Sequence, residues 1–316
     1  MLKFYRVMIL VTLGAVLPFL SLIAQAETLR FAWPDGASAK VHARSEGRRV
    51  RKSGEKIAWD MSCDFTMSIQ RTGDRVVVSR NGFSGWKGTL PSAMDGGAER
   101  FIDMIPTFIV SGGGAFLGIE GHETARKLMT SAVEQSGGLD SMSQKASEIL
   151  SSNASLETMA KNHWSGLVGL WQDIELDQSA IYEIRGVISV PQLGGGEIEM
   201  TGTVKFVKET PCASGGDERR CVHLQAKTGA DKTQVKKLLQ SFLRQVGVNR
   251  PMVTAWDQRV NVDIVVDKAT MLPQQLTITR FGGFNLRIQD RDDGISEEIT
   301  TTHTFVWFLP NNERKR

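Results

Sequence analysis

The sequence lacks an excess of charge of one sign and is poor in cysteine. It has 38 Lys and Arg, 35 Asp and Glu, and 3 Cys among 316 residues. The first 26 residues contain Lys3 and Arg6 and no acid, so the remainder has 36 basic and 35 acidic side chains, a net charge of +1. Such a balance predicts no nucleic-acid partner. Hydrophobic and charged contents of 41% and 23% are ordinary for a globular protein and exclude a disordered or multi-span membrane chain.

Sequence motifs for catalysis and metal binding are also missing. The glycine-rich stretch ending at Gly118 lacks the Lys and Ser/Thr of a phosphate loop. Arg126 stands where a zinc protease needs its second His, and Trp86 stands where a serine-hydrolase turn needs its second Gly. Gly294 is the fifth residue of an acidic stretch, whereas a calcium loop needs Gly at the sixth position. We therefore expect no metal, no cofactor and no catalytic residue, and only a hydrolase built on scattered carboxylates stays as a minor alternative.

The N-terminus has the pattern of an export signal. Lys3 and Arg6 precede an apolar run, and Ala24-Gln25-Ala26 supplies a small-x-small cleavage site before Glu27. The alternative is an uncleaved anchor, because the apolar run is almost long enough to span a membrane. No Cys precedes Cys63, so lipid attachment at a cysteine after the signal is excluded. The pattern predicts an exported protein, periplasmic or secreted, that is not lipid-anchored.

The cysteines are expected to play structural roles. Cys212 and Cys221 flank a polar, glycine-containing loop between two alternating segments, which predicts a disulfide closing a hairpin. Metal binding is the alternative, but two thiols at this spacing lack the usual zinc pattern. Cys63 lies at an inward position of an alternating strand, so it is expected to be inert packing.

Hydrophobic periodicity divides the rest of the chain into segments. Strand signals occur in the N-terminal and C-terminal segments, where residues 28–33, 275–281 and 284–289 are each expected to form a strand. Apolar residues at helical spacing occur in the central segment and again over residues 233–246. The expected organisation is a signal peptide (1–26), an N-terminal β segment (27–96), a central helical segment (97–178), a C-terminal antiparallel sheet (179–310) with one helix (233–246), and a polar tail (311–316).

The expected fold class is α+β, with a large curved antiparallel sheet of about eleven strands, half-barrel-like, packed on a group of central helices. Two small α+β units sharing an interface are the alternative. The preferred architecture is similar to that of periplasmic lipoprotein-carrier proteins, although no sequence motif is shared and the likeness is one of fold only.

Large apolar residues of the central segment are either core or the lining of a cleft for an acyl chain. The candidate ligand-binding residues are Phe101, Ile105, Phe108, Trp164, Leu167 and Trp171. A basic stretch that includes Arg48, Arg49 and Arg51 is either a charged edge strand or a contact for an anionic envelope surface.

These observations predict an exported cell-envelope protein that is non-enzymatic and binds an apolar or amphiphilic ligand, such as a lipid or a lipoprotein tail. The alternative is a structural or protein-interaction module of the envelope whose core is filled. A contiguous cavity of ligand size distinguishes the two.

Overall fold

A computed structural model of the chain provides the structure of this protein. It describes residues 27–89, 107–127, 148–149, 151–190, 196–212, 220–245, 247–249, 251–288 and 291–310. The expected signal peptide and its cleavage site after Ala26, the candidate residues Phe101 and Ile105, and the polar tail lie outside these residues.

The protein is built on one open antiparallel sheet of eleven strands, in the order β5-β4-β3-β2-β1-β11-β10-β9-β8-β7-β6. The strands are β1 (Ser38–Arg51), β2 (Lys56–Thr72), β3 (Arg75–Thr89), β4 (Thr107–Ser111), β5 (Phe116–Glu120), β6 (Ile181–Ser189), β7 (Glu197–Pro211), β8 (Arg220–Ala230), β9 (Pro251–Asp267), β10 (Pro273–Ile288) and β11 (Arg291–Phe308). The expectation of about eleven antiparallel strands is confirmed.

Two meanders are joined in the middle of the sheet by the first and last strands. β1 pairs with β11 along its whole length, from Ser38 opposite Phe308 to Arg51 opposite Ile295. Consecutive strands pair with each other within each meander, so β5 and β6 become the two edges. The chain between these edges, residues 121–180, contributes the helix that packs on the sheet.

Within the described residues two helices accompany the sheet, besides short helical stretches at residues 122–127 and 148–149. α1 (Asn153–Trp164) continues as one π-helical turn, Ser165–Gly169, and Ser152 caps it by accepting a hydrogen bond from the Ser155 backbone N–H. α2 (Lys232–Gln245) follows β8 directly, within one residue of the expected 233–246. No helix within the described ranges is long and apolar enough to cross a membrane.

Side chains alternate across the strands, and one face of the sheet carries the core. On β1 the buried positions are Ala39, Val41 and Ala43, while the intervening side chains are exposed. The main apolar cluster combines such residues from ten of the strands with α1 and its π-helical turn. We call the face that carries this cluster the inner face, and its opposite the outer face.

The sheet curves around α1. The indole N–H of Trp164 bonds to the carbonyl of Gly114, in the turn between β4 and β5. Two residues later, a Cβ built on Gly166 would lie 3.7 Å from Ile278 of β10. β4 and β10 are five positions apart in the sheet, about 24 Å if it were flat. Residues so close in the chain reach both places because the sheet wraps toward the helix.

The helical expectation for residues 97–178 is wrong over 107–120. Thr107–Ser111 and Phe116–Glu120 are strands of a hairpin, not helices. The continuous run Phe108-Ile109-Val110 fits a strand buried on both faces as well as a helix, and all three side chains are buried. Gly112 and Gly113 form the turn of that hairpin.

Two strand assignments also need correction. Residues 275–281 and 284–289 were expected as separate strands, but β10 runs unbroken through Gly282 and Gly283. Residues 28–33 form no strand, and Thr28 makes only an isolated bridge to Glu175. Their side chains still enter the core, where Leu29 and Trp33 are fully buried.

The expected disulfide between Cys212 and Cys221 is confirmed. It joins the end of β7 to the start of β8, where Thr210 lies opposite Cys221. Cys63 is buried on the inner face of β2, outside the disulfide.

Candidate functional site on the inner face

The apolar residues selected from the sequence belong to the packed core. Phe108, Trp164, Leu167 and Trp171 are each no more than 2% exposed. The indole N–H groups of Trp164 and Trp171 donate to the carbonyls of Gly114 (2.8 Å) and Gly166 (2.7 Å). Since these side chains are enclosed and their polar atoms are satisfied, they offer no surface to a ligand.

Aromatic rings fill the α1 end of the inner face. The rings of Trp33 and Trp164 meet edge to face with centroids 5.3 Å apart, and Trp33 also contacts Trp307 at 6.0 Å. The guanidinium of Arg80, itself buried, lies 4.3 Å from the centre of the Phe108 ring. Edge-to-face and cation–π geometries of this kind are typical of a close-packed interior. The α1 end of the inner face is therefore filled, as expected for a structural or interaction module with a filled core.

Beyond that core, one lateral row of inner-face residues crosses eight neighbouring strands. Each member lies directly opposite the next in the strand pairing. From β6 to β2 the members are Ile184, Gly202, Thr228, Val260, Arg280, Ile299, Gly47 and Trp59. We call this set the inner-face row. Seven of its eight members are apolar, small or uncharged, and Arg280 is its ionisable side chain.

The inner-face row is only partly covered. Ile299 and Trp59 are buried, and the other six members are half-buried. A groove of about 750 Å³ along β6 and β7 is lined by residues of both faces, among them Ile184 and Gly202 of the row and Glu183 and Arg185 of the outer face. A Cβ added to Gly186 or Gly282, one inner-face position beyond the row, would meet no atom of the described residues within 4 Å. Among the residues that the structure describes, space is thus available along this part of the inner face.

The two helices bound the inner-face row in the C-terminal meander. On one side lies the core around α1, with Val204, Ala226 and Val262. On the other side α2 covers a separate small cluster that contains Val235 and Ile198. The row therefore occupies the gap between two covered regions.

Glycine shapes the far end of the row. The indole of Trp59 lies over Gly47, where an added Cβ would overlap the indole ring. Ile57, Trp59 and Ile299 form a small buried cluster at this place. Because only Gly leaves room for the indole, a flat aromatic surface ends the row at β2.

The arginines predicted to contact an anionic surface do not share one face. Arg48 points to the outer face and pairs with Glu298 at 2.6 Å, while Arg49 points inward and pairs with Glu297 at 2.8 Å. Arg51 pairs with Glu55 at 3.2 Å. Each guanidinium is therefore matched by a carboxylate, and contact with an anionic surface stays a prediction.

Surface ion pairs shift several carboxyl pKa values among the described residues. The clearest shift in a carboxyl pKa is that of Asp292, which hydrogen bonds from Arg287 and Lys52 lower to about 2. This group lies at the surface of the β10–β11 hairpin, far along the sheet from α1. No group of three His, Cys, Asp or Glu suited to a metal ion occurs within the described ranges.

The inner-face row was not found from the sequence. Its members come from eight strands and become neighbours only through strand pairing. The available signal was the alternation within each strand, which gives the face of a residue but not its partner across the sheet.

No protein-family model matches the chain, and no curated protein matches it. A structure of lipovitellin is similar over 89% of this chain with 10% identity and a TM-score of 0.39, and the chain spans only 26% of that structure. DynF of the dynemicin biosynthesis pathway of Micromonospora chersina is similar over 92% of this chain and 89% of its own, with 6% identity and a TM-score of 0.20. An outer-membrane channel of Pseudomonas putida gives 88% and 98% coverage, 8% identity and a TM-score of 0.17. These likenesses are too distant to indicate a function.

Proposed function

We propose that this protein binds an amphiphile, with the apolar chain of the ligand lying along the inner-face row. The observation that carries the proposal is the row itself: a mostly apolar, half-buried path with space, among the described residues, beside Gly282. Apolar paths of this kind, with few polar groups, are typical of sites for hydrophobic ligands.

The dimensions of the row suit a lipid tail. Eight strands at the usual spacing extend over about 34 Å of sheet. A bilayer core about 30 Å thick contains two opposed tails, so one tail needs about half of that length. Part of the row therefore accommodates one acyl chain, and Arg280 gives the path a polar position near its middle for the head of the ligand.

We further propose that the protein acts after export, in the cell envelope or outside the cell. The disulfide between Cys212 and Cys221 is typical of proteins that fold in an oxidising compartment. Removal of the first 26 residues between Ala26 and Glu27 is part of this proposal. It predicts that the exported protein begins at Glu27, which N-terminal sequencing tests.

The binding site is tested by filling the open space. Gly282→Phe places a ring on the inner face beside the row, and Gln275→Phe places the same ring at an exposed outer-face position of the same strand. Titration of the delipidated protein with a fluorescent long-chain fatty acid is expected to show saturable binding. The affinity should fall about tenfold or more in Gly282→Phe, equivalent to about 1.4 kcal/mol, and stay unchanged in Gln275→Phe.

Two results would contradict the proposed site. The first is the absence of saturable binding by the wild-type protein. The second is an equal effect of both substitutions, since only the inner-face ring meets the row. Circular dichroism of both variants shows that each is folded before the affinities are compared.

A filled-core interaction module is the second candidate function. The enclosed aromatic rings around Trp33 and Trp164 favour it, because the α1 end of the inner face offers no space to a ligand. A wild-type protein that binds no fatty acid in the titration would favour this candidate.

A further inference from the structure

The strand β6 is an edge of the sheet with unusual features. Within the described residues it pairs only with β7, so one side of its backbone has no strand partner. Its outer face exposes two large apolar side chains, Ile181 (66%) and Val187 (59%). A nine-residue edge with exposed apolar side chains is a template for pairing with another strand.

The outer-face residues of β6 are self-complementary. In order they are Ile181, Glu183, Arg185 and Val187, which is apolar, acidic, basic and apolar. Reversal of the strand about Ile184 exchanges Glu183 with Arg185 and Ile181 with Val187. An antiparallel copy in this register therefore meets opposite charges and apolar groups at directly opposed positions.

We propose that two copies of this chain associate through β6, as an antiparallel pair whose two-fold axis passes through Ile184. Glu183 then faces Arg185 of the second copy, twice by symmetry, and Ile181 faces Val187 of the second copy. Within one chain Glu183 and Arg185 already contact each other at 3.0 Å and are well exposed, so both can turn to a partner. The occupant of this edge is thus a second copy of the same edge.

The inner-face residues of β6 fit the same register. Tyr182 lies opposite Gly186 of the second copy, and Gly186 has no described atom within 4 Å of an added Cβ. A cross-strand aromatic ring beside a glycine is a stabilising arrangement in sheets. Space on the inner face is therefore present where the Tyr182 ring of the second copy lies.

Neighbouring registers are disfavoured by charge. A two-fold axis through Glu183 places the two Glu183 carboxylates opposite each other, and an axis through Arg185 does the same to the two guanidinium groups. Like charges at directly opposed positions are destabilising. Centring on Ile184 is the register in which all four outer-face pairs match.

The dimer has a consequence that rests on the proposed ligand path. Ile184 is the β6 end of the inner-face row, so the two-fold axis joins the rows of both copies end to end. The tests below measure association without ligand, so their outcome is independent of whether the protein binds an amphiphile.

A charge exchange tests the association. The chain 27–316 is measured by sedimentation velocity over a concentration series, and we expect a species of twice the monomer mass. Glu183→Arg alone and Arg185→Glu alone each set like charges against each other and should weaken association about tenfold or more. The double variant Glu183→Arg/Arg185→Glu restores opposite charges and should restore the dimer.

Cross-linking tests the register. Opposed residues of an antiparallel pair have Cα atoms about 4.5 to 5.5 Å apart, within disulfide range, so Ile184→Cys should form an intermolecular disulfide. Glu183→Cys is the matched control, because its copies lie about 8 Å apart, beyond that range. A protein that stays monomeric at every concentration overturns the proposal, as does a dimer that ignores both charge reversals or cross-links equally through either cysteine.

Discussion

The indole N–H of Trp164 donates a hydrogen bond of 2.8 Å to the carbonyl oxygen of Gly114. This bond joins the last residue of α1 to the turn between β4 and β5, at one edge of the sheet. The π-helical turn that follows contacts β10 on the other side of the inner face. The end of α1 therefore links two distant parts of a sheet that does not close by strand pairing.

The first prediction concerns this link. Trp164→Phe removes the donor and leaves the Gly114 carbonyl buried without it, and the smaller ring leaves a void. We expect a loss of about 2 to 4 kcal/mol in the free energy of unfolding, measured by urea denaturation. Trp86→Phe is the control, because Trp86 is 47% exposed, and it should change stability by less than about 0.5 kcal/mol. Equal losses of unfolding free energy in the two variants would show that the hydrogen bond of Trp164 does not stabilise the fold.

The second prediction uses two adjacent glycines. Gly114 has φ +87°, and an added Cβ would lie 2.7 Å from Phe31 Cγ, whereas the Cβ of Gly113→Ala would have Ser111 Oγ at 3.9 Å. Gly114→Ala should lower the melting temperature, at a cost of about 1 to 3 kcal/mol for backbone strain. Gly113→Ala should leave it nearly unchanged. Thermal unfolding followed by circular dichroism compares them, and a larger effect of Gly113→Ala would contradict the left-handed backbone of Gly114 in this turn.

The third prediction concerns the disulfide. Cys212 and Cys221 are separated by 9 positions, and closing a loop of this size is worth about 3 kcal/mol in the chain-entropy model. Reduction should therefore lower the melting temperature of the wild-type protein. The double variant Cys212→Ser/Cys221→Ser should start at the lower value and show no response to reductant. A fall in the melting temperature of that variant on reduction would show that a second reducible group stabilises the fold.

The fourth prediction is a pH dependence. Arg287 and Lys52 lower the pKa of Asp292 from 3.8 to about 2. Because the pKa is lower in the folded protein, the stabilisation by Asp292 is present above the ordinary pKa and is lost as pH falls toward about 2. Asp292→Asn should lower the melting temperature near neutral pH. It should also reduce the fall in melting temperature between pH 3.8 and about pH 2.

Asp293→Asn is the matched control for that pH dependence, because the Asn oxygen can keep the bond that Asp293 accepts from the Gly294 backbone N–H. Its melting temperature should fall with pH as in the wild-type protein. If Asp292→Asn retains the full acid sensitivity, the two basic partners of Asp292 do not stabilise the fold.

Much of the sheet was predictable because alternation is a local property of each strand. The inward positions of β2, including Cys63, were identified in this way. The helix α2 was predicted instead from apolar residues at helical spacing. The strand Phe108-Ile109-Val110 was missed because a short continuous apolar run fits a strand and a helix equally well. Flanking residues did not decide between them.

The candidate site could not be predicted from the sequence, and the reason is a different one. The pairing of β1 with β11 joins residues that are more than 240 positions apart, such as Gly47 and Ile299. The register of such a pair depends on the whole sheet and not on either strand alone. The apolar residues selected from the sequence were instead the largest ones, and large apolar side chains are the first to be enclosed by the core.

The most direct test of the central proposal is to map where a ligand lies. A photoreactive long-chain fatty acid is cross-linked to the disulfide-intact protein, and the labelled peptides are identified by mass spectrometry, with and without an excess of unlabelled fatty acid. The proposal predicts labels that are competed away and that fall on segments around Val260, Arg280 and Ile299. Labels confined to outer-face positions, or labels that the unlabelled fatty acid does not displace, would contradict a binding path along the inner-face row.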